Sequence, residues 1–293
     1  MGLVLALLAA VLWGFTPVAI KGSLPGFSPA LISVVRLAIA TVVFRMLGGR
    51  GTRWLPSDRW TLLAGVALGA DFVLYNYGVG LTTAALASLV VNVEVVSTIV
   101  FARWLLDERL TFLRIAGATV TLAGALYVAT EGAGFGQLLE EDHVLGNVVV
   151  MLAGVLWSFY AVAQRRAPRG RNIFQVMTPL FAVATLTTVP TLVAPGTWNN
   201  PGGLAPTLML ATLIVLSTIG VYLVYARSQE LLDVSVLAVV LTSIPIFSIV
   251  LAWLLLGESV SSRALVGGTV ILAGVLIIAR ERPVEEAAAG GPD

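Results

Sequence analysis

Residues 7–20, LLAAVLWGFTPVAI, return later in the chain as residues 151–164, MLAGVLWSFYAVAQ, without a gap and with eight of fourteen positions identical. Trp13 falls on Trp157 and Phe15 on Phe159. A second pair follows in the same order. Residues 105–129, LLDERLTFLRIAGATVTLAGALYVA, align with residues 255–279, LLGESVSSRALVGGTVILAGVLIIA, with eleven of twenty-five positions identical. Here Glu108 falls on Glu258 and Gly124 on Gly274. Apolar segments share Leu, Val and Ala by chance, but a Trp and a Glu in the same order in both halves mark an internal repeat.

The repeating segments belong to a chain of 293 residues that is 58% hydrophobic and only 11% charged. Soluble domains carry about 25% charged residues, because their surfaces face water. Several runs reach the roughly 18–20 apolar residues that a helix needs to cross a bilayer. Gly, Pro and polar punctuation divides the chain into ten expected spans: 3–20, 29–47, 60–80, 84–104, 110–130, 146–164, 173–193, 206–226, 234–255 and 264–280. The stretch from 60 to 104 is too long for one crossing and splits near Thr82-Thr83. The repeat sets span 1 against span 6 and span 5 against span 10. Each half then holds five spans, and because five is odd the second half enters the membrane upside down. The expected fold is an all-α membrane protein of ten transmembrane helices, built as two inverted five-helix repeats at 1–135 and 144–281, followed by a disordered cytoplasmic tail at 282–293.

Cytoplasmic loops carry the excess of Lys and Arg. With the N-terminus inside, fourteen of the seventeen basic residues fall on inner loops and the tail, Lys21 and Arg263 fall outside, and Arg36 lies within a span. Both termini are therefore expected in the cytoplasm, with the chain in a bacterial inner membrane. The N-terminal segment lacks a basic leader and recurs at 151–164, so it reads as the first transmembrane helix.

Other chemistries find little support. There is no cysteine, and the single His143 sits in an acidic loop, so no metal site is expected. The net charge is +1 and the arginines form no basic face, which argues against nucleic acid. The Gly-rich stretch at 131–136 follows a helix rather than a strand and is no nucleotide fingerprint. No cofactor is expected. The partners are lipid and a small-molecule substrate, and the chain is expected to be a monomer or a homodimer.

At this point the chain resembles the drug/metabolite transporter superfamily, in its ten-helix branch of paired EamA-type domains. The resemblance rests on VLWGFTPVAIK at 11–21, the in-span Arg36, Glu108 and Glu258 ahead of Gly- and Ala-rich last helices, and Pro245 within VVLTSIPIFSIVLAWLLLGE. It covers roughly residues 3–280 and implies a secondary exporter of amino acids or other metabolites, some relatives resembling exporters of aromatic amino acids. One departure is Val95, which stands where the second half has Pro245 and removes the residue that would kink span 4.

Three ionisable residues fall within expected spans: Arg36, Asp71 and Glu94. An in-span charge costs at least about 2.5–3.5 kcal/mol on insertion scales, so such residues face the bundle interior and mark function or pair with one another. Spans 7, 8 and 9 contain no Asp, Glu, Lys or Arg, so this charge belongs to the first half alone. Arg36 can fix a carboxylate or lock a helix, whereas Glu94 can also carry a proton. Asp71 and Tyr75 are four residues apart and share a helix face, with Asn76 adjacent. Together with Trp13, Trp157, Tyr160 and Tyr222 they make the expected substrate site, an aromatic cavity with a few charges that suits an amphipathic zwitterion. Trp54, Trp60 and Trp104 read instead as interfacial anchors, and Gly65/Gly69 as a helix-packing motif. The competing readings are a cationic-drug exporter, an intramembrane enzyme using Asp71 and Glu94 as an acid pair, and a helper subunit.

Overall fold

The computed structural model describes residues 1–82, 87, 90–129, 141–167, 172–244, 246–247 and 262–280. Pro245, Glu258, the Gly-rich stretch at 131–136 and the tail at 282–293 lie outside the described residues, as does the side chain of His143. Among the described residues every regular element is helical. The helices are α1 (Gly2–Gly14), α2 (Thr16–Ser23), α3 (Pro29–Gly48), α4 (Arg59–Leu81), α5 (Val93–Leu106), α6 (Phe112–Ala129), α7 (Glu141–Arg165), α8 (Ile173–Thr188), α9 (Leu204–Ile214), α10 (Val221–Gln229), α11 (Val234–Leu241) and α12 (Ser262–Ala279).

Among the described residues six helical stretches are long and apolar enough to cross a membrane: Gly2–Ser23, Pro29–Gly48, Arg59–Leu81, Val144–Arg165, Ile173–Val193 and Leu204–Gln229. Phe112–Gly124 and Val266–Ile278 are shorter apolar helices. Val4, Leu8, Val42, Val66, Leu152 and Leu208 are exposed on the outside of the bundle. A surface of this kind matches lipid rather than water. The chain is an integral membrane protein.

Local chemistry sets the helix starts. Ser28 caps α3, its hydroxyl accepting from the Leu31 N–H at 3.2 Å, with Pro29 in the first turn. Asp58 caps α4 through the Thr61 N–H at 2.8 Å. Asn172 and Gln175 form a capping box at α8.

Besides the 3₁₀ turn Val189–Val193 that follows α8, four stretches of the described residues depart from regular α-helix. Three of them line the same interior space, and the fourth holds Arg36 beside it. The first span divides at Phe15, two residues before Pro17, whose ring cannot donate to the helix ladder. The fourth span is interrupted at Val91–Asn92, where the Glu94 N–H reaches back only to the Val91 carbonyl (2.9 Å) and the Val95 N–H only to Asn92 (3.1 Å). Loss of the proline at Val95 therefore does not restore a continuous helix. The ninth span tightens at the equivalent place, where Thr242 and Ser243 donate to Val239 (3.2 Å) and Val240 (3.0 Å). Between α9 and α10 the backbone runs as a π-helix over Val215–Gly220.

Packing is reciprocal between the halves. α4 and α5 pack on α7, while α9, α10 and α11 pack on α1 and α2. The contacts α3 on α8 and α6 on α12 each join a helix to its counterpart, and α5 on α11 joins the fourth expected span to the ninth. Residues 48–60, 107–114, 165–167, 172–175 and 227–235 gather at one end of the bundle, joined by contacts such as Arg166 over Trp60 (5.1 Å) and Gln229 to the Ala161 carbonyl (3.0 Å). The opposite end joins Ser28 to Asn200 (2.7 Å) and Thr82 to Asn147 (2.8 Å). Gly2 lies against Leu231 and Leu232 at the first end, and Gly146 lies against Leu81 at the second. α1 and α7, which carry the repeated Trp, therefore run in opposite directions.

At the first end Glu108 is buried and ties α11 to the loop before α6. Its carboxylate accepts from the Val234 N–H (3.0 Å), the Ser235 N–H (3.3 Å) and the Ser235 hydroxyl (2.6 Å). These are free amides at a helix start, where a carboxylate is favoured. Arg114 completes the cluster, reaching Glu108 at 3.3 Å and also pairing with Asp233. Glu108 thus organises the start of a helix in the other half rather than its own.

The small residues take up the closest approaches. Gly65 and Gly69 on α4 face the backbone of α8, where an added Cβ would lie 2.7 Å from the Leu180 carbonyl and 2.5 Å from the Ala184 carbonyl. On α6 and α12 the contact is crossed: Gly117 faces Gly274, and Gly124 faces Gly267. Exchanging the halves maps one pair onto the other. Gly124→Ala and Gly274→Ala set a methyl within 3.0 Å of backbone atoms, so each is expected to destabilise the protein by about 1–3 kcal/mol. Gly80→Ala, with nothing within 4 Å, should leave thermal unfolding in detergent unchanged. Equal midpoints for all three variants would contradict this packing.

Candidate functional site

The interrupted helices border a partly open cavity of about 120 Å³ at the seam between the halves. Asp71 is near the middle of the 23-residue α4, which sets the depth of the cavity within the bundle. Of the nine residues expected from sequence, eight line it: Trp13, Arg36, Asp71, Tyr75, Asn76, Glu94, Trp157 and Tyr222. Tyr160 is fully buried and does not line it; its ring lies 6.3 Å from Trp157 and 5.9 Å from Tyr222. A helix rises about 1.5 Å per residue, so Tyr160 sits roughly 4.5 Å below Trp157, under the floor.

That floor is aromatic. Trp13 meets Trp157 edge-on at 5.7 Å, Tyr222 at 5.5 Å and Tyr225 at 5.2 Å. Phe181 closes against Tyr222 at 5.1 Å. The contact of Trp13 with its own repeat counterpart places both halves at one point. Edge-to-face pairs of this kind contribute about 0.5–1.5 kcal/mol each beyond area burial, so the cluster ties α1, α7, α8 and α10 together beside the cavity.

Arg36 is 4% exposed and is held by the π-helical stretch. Its Nε donates to the Thr218 hydroxyl at 3.1 Å and an Nη donates to the Ser217 carbonyl at 3.4 Å. The guanidinium also lies over the Phe72 ring, 4.4 Å from its centroid. Irregular turns of this type leave carbonyls without an intrahelical donor, and Ser217 supplies one here. The direct ion pair considered for Arg36 is absent: among the described residues no carboxylate lies within 4.0 Å of it. Asp71 acts on it only through space.

Asp71, 7% exposed, and Glu94 both border the cavity, and neither carboxyl has a hydrogen-bond partner among the described residues. They act on one another electrostatically without a shared hydrogen bond, so the carboxyl-to-carboxyl contact of an aspartyl-type pair is not formed. Asn76 donates to the Ser33 hydroxyl at 2.7 Å, and its own amide oxygen is without a partner.

Sequence reasoning missed Thr16, Pro17, Phe72, Asn92, Val91, Leu241 and Ile244, all of which line the cavity. Thr16-Pro17 and Asn92 carried a signal, as a proline and an amide within apolar spans. Val91 and Glu94 are the repeat counterparts of Leu241 and Ile244, so the two halves line the cavity with equivalent positions, one polar and one apolar. Ser217 and Thr218, which fix Arg36, carried none.

A lipid-facing helical bundle around a charged and aromatic cavity defines a membrane transport protein. The chain belongs to the EamA-like transporter family, which matches it over residues 1–130 and 144–280. It is 28% identical over 281 residues to a protein of Streptantibioticus cattleyicolor named "Probable terminal-alkyne amino-acid exporter", covering 93% of this chain and 91% of that one. An "Uncharacterized inner membrane transporter YhbE" of Escherichia coli is 25% identical over 209 residues, covering 67% of this chain and 63% of the relative. A solved crystal structure shares the fold, with a TM-score of 0.80 at 24% identity over 95% of this chain and 98% of the other.

Thr218→Val removes the hydroxyl that accepts from Arg36 and leaves a buried N–H unpaired. It is expected to destabilise the protein by about 1–3 kcal/mol. Thr207→Val, at an exposed position bonded only to the Gly203 carbonyl, should be neutral in the same detergent unfolding experiment. If both shift alike, the π-helical clamp on Arg36 contributes nothing.

Proposed function

We propose that this protein is a secondary active transporter that exports small metabolites, amino acids foremost and aromatic ones among them, by alternating access. The observation that carries the reading is the mid-depth cavity at the seam of the halves, with aromatic walls, an arginine and two carboxyls. The aromatic surface receives an apolar side chain, and the charges of both signs receive a zwitterion. Interrupted helices at mid-depth are how transporters present backbone and polar side chains to a substrate within the bilayer. The name of the Streptantibioticus relative, an amino-acid exporter, supports the same substrate class.

On this reading the chain forms ten transmembrane helices in two inverted repeats, 1–135 and 144–281, each moving about the cavity. Support comes from the opposite courses of α1 and α7 and from the crossed glycine contacts of α6 and α12. The arginine-rich end is cytoplasmic, and with it both termini, in a bacterial inner membrane.

Purified protein in liposomes loaded with L-phenylalanine or L-tryptophan is expected to take up labelled amino acid by saturable counterflow. Quaternary ammonium compounds should compete weakly. Glu94→Gln should abolish any dependence of that exchange on a pH gradient. Strong competition by quaternary ammonium ions without amino-acid exchange would replace this reading with cationic-drug export. No flux of either kind from protein purified alone would favour a helper subunit.

A further inference from the structure

Four polar groups that line the cavity lack a hydrogen-bond partner among the described residues, and each can accept. The Asp71 and Glu94 carboxyls have no partner among the described residues, the Asn76 amide oxygen has none, and neither does the Thr16 hydroxyl oxygen. The assignment at Asn76 is fixed by its neighbour. The Ser33 hydroxyl has the Pro29 carbonyl (2.8 Å) and the Phe72 carbonyl (3.2 Å) as acceptors for its single proton, so it accepts from the Asn76 amide nitrogen at 2.7 Å. Arg36 spends two of its five N–H donors on Thr218 and Ser217 and lies over the Phe72 face. Asp71 has Arg36 as an opposite charge nearby, whereas among the described residues Glu94 forms no ion pair. A ligand that supplies the missing partners is favoured there, because a buried polar group without a partner is destabilising.

We infer that the group this site demands of its substrate is a primary ammonium, held at Glu94 with Asp71 and Asn76, and that the substrate's carboxylate is dispensable. This rests on the transport reading above and sharpens it: the substrate class is aromatic primary amines, of which aromatic amino acids are one case. An ammonium brings three N–H donors and one positive charge to a group of acceptors. A substrate carboxylate would instead meet two carboxyls for one guanidinium, a balance that opposes it.

Three ligands of matched ring and length separate the contributions: L-phenylalanine, phenethylamine, which lacks the carboxylate, and 3-phenylpropanoate, which lacks the amine. Each is titrated against ligand-induced thermal stabilisation of the purified protein and against phenylalanine counterflow in liposomes. Phenethylamine is expected to half-saturate at a concentration at least tenfold below that of 3-phenylpropanoate. Glu94→Gln and Asp71→Asn should each weaken phenethylamine at least tenfold, with the unliganded unfolding midpoint reporting whether each variant is folded. If 3-phenylpropanoate matches or exceeds phenethylamine, or folded Glu94→Gln and Asp71→Asn both retain phenethylamine binding, the inference is overturned while amino-acid transport stands. If phenethylamine binds but phenylalanine is not exchanged, the ammonium site stands and the amino-acid reading falls. If neither amine-bearing ligand binds, both are overturned.

Discussion

Lipid offers no hydrogen bonds and little relief for charge, and this structure keeps a guanidinium, two carboxyls and several irregular turns at mid-depth. Everything around them answers to that constraint. Non-helical backbone is tolerated within a bilayer only where protein or a cavity satisfies it, and here three departures from α-helix line one cavity while the π-helical stretch holds Arg36 beside it. Arg36 is held by the π-helical carbonyl and hydroxyl of Ser217 and Thr218, on a segment 180 residues away in sequence, so the charge of one half is secured by the backbone of the other. Neither half could bury this site alone.

That dependence explains how a duplicated scaffold comes to hold an unduplicated site. The shared features are those of packing: Trp13 against Trp157, and the glycines of α6 crossed with those of α12. The cavity positions are shared too, since Val91 and Glu94 have Leu241 and Ile244 as counterparts. Only the side chains differ. The first half supplies charge and the second supplies an apolar wall with Tyr222, a division that suits a substrate with one polar and one apolar end.

Much of this was legible in the sequence, for physical reasons. Apolar length dictates spans, in-span charge must face inward, and so Arg36, Asp71 and Glu94 were identifiable without coordinates. Tyr160 was misplaced because helical periodicity gives the face but not the depth, and three residues along α7 move a ring from the cavity to beneath its floor. The interruption of span 4 was hidden because a proline was taken as its cause, whereas the turn at Val91–Asn92 forms without one. The π-helical stretch VLSTIG has no distinguishing composition; it is set by what Arg36 and Leu12 demand of Thr218 and Ser217 across the seam.

The inverted arrangement of the halves is the claim from which the rest follows, and the absence of native cysteine makes it directly measurable. The loop at 49–58 joins the second and third spans of the first half, and the loop at 194–203 occupies the same place in the second; Leu55 and Asn199 are exposed on them. Single-cysteine variants Leu55→Cys and Asn199→Cys, treated in intact cells with a membrane-impermeant maleimide, report the side on which each loop lies. The account predicts that Asn199→Cys is labelled from outside and Leu55→Cys only after the membrane is permeabilised. Labelling of both from the same side would contradict it.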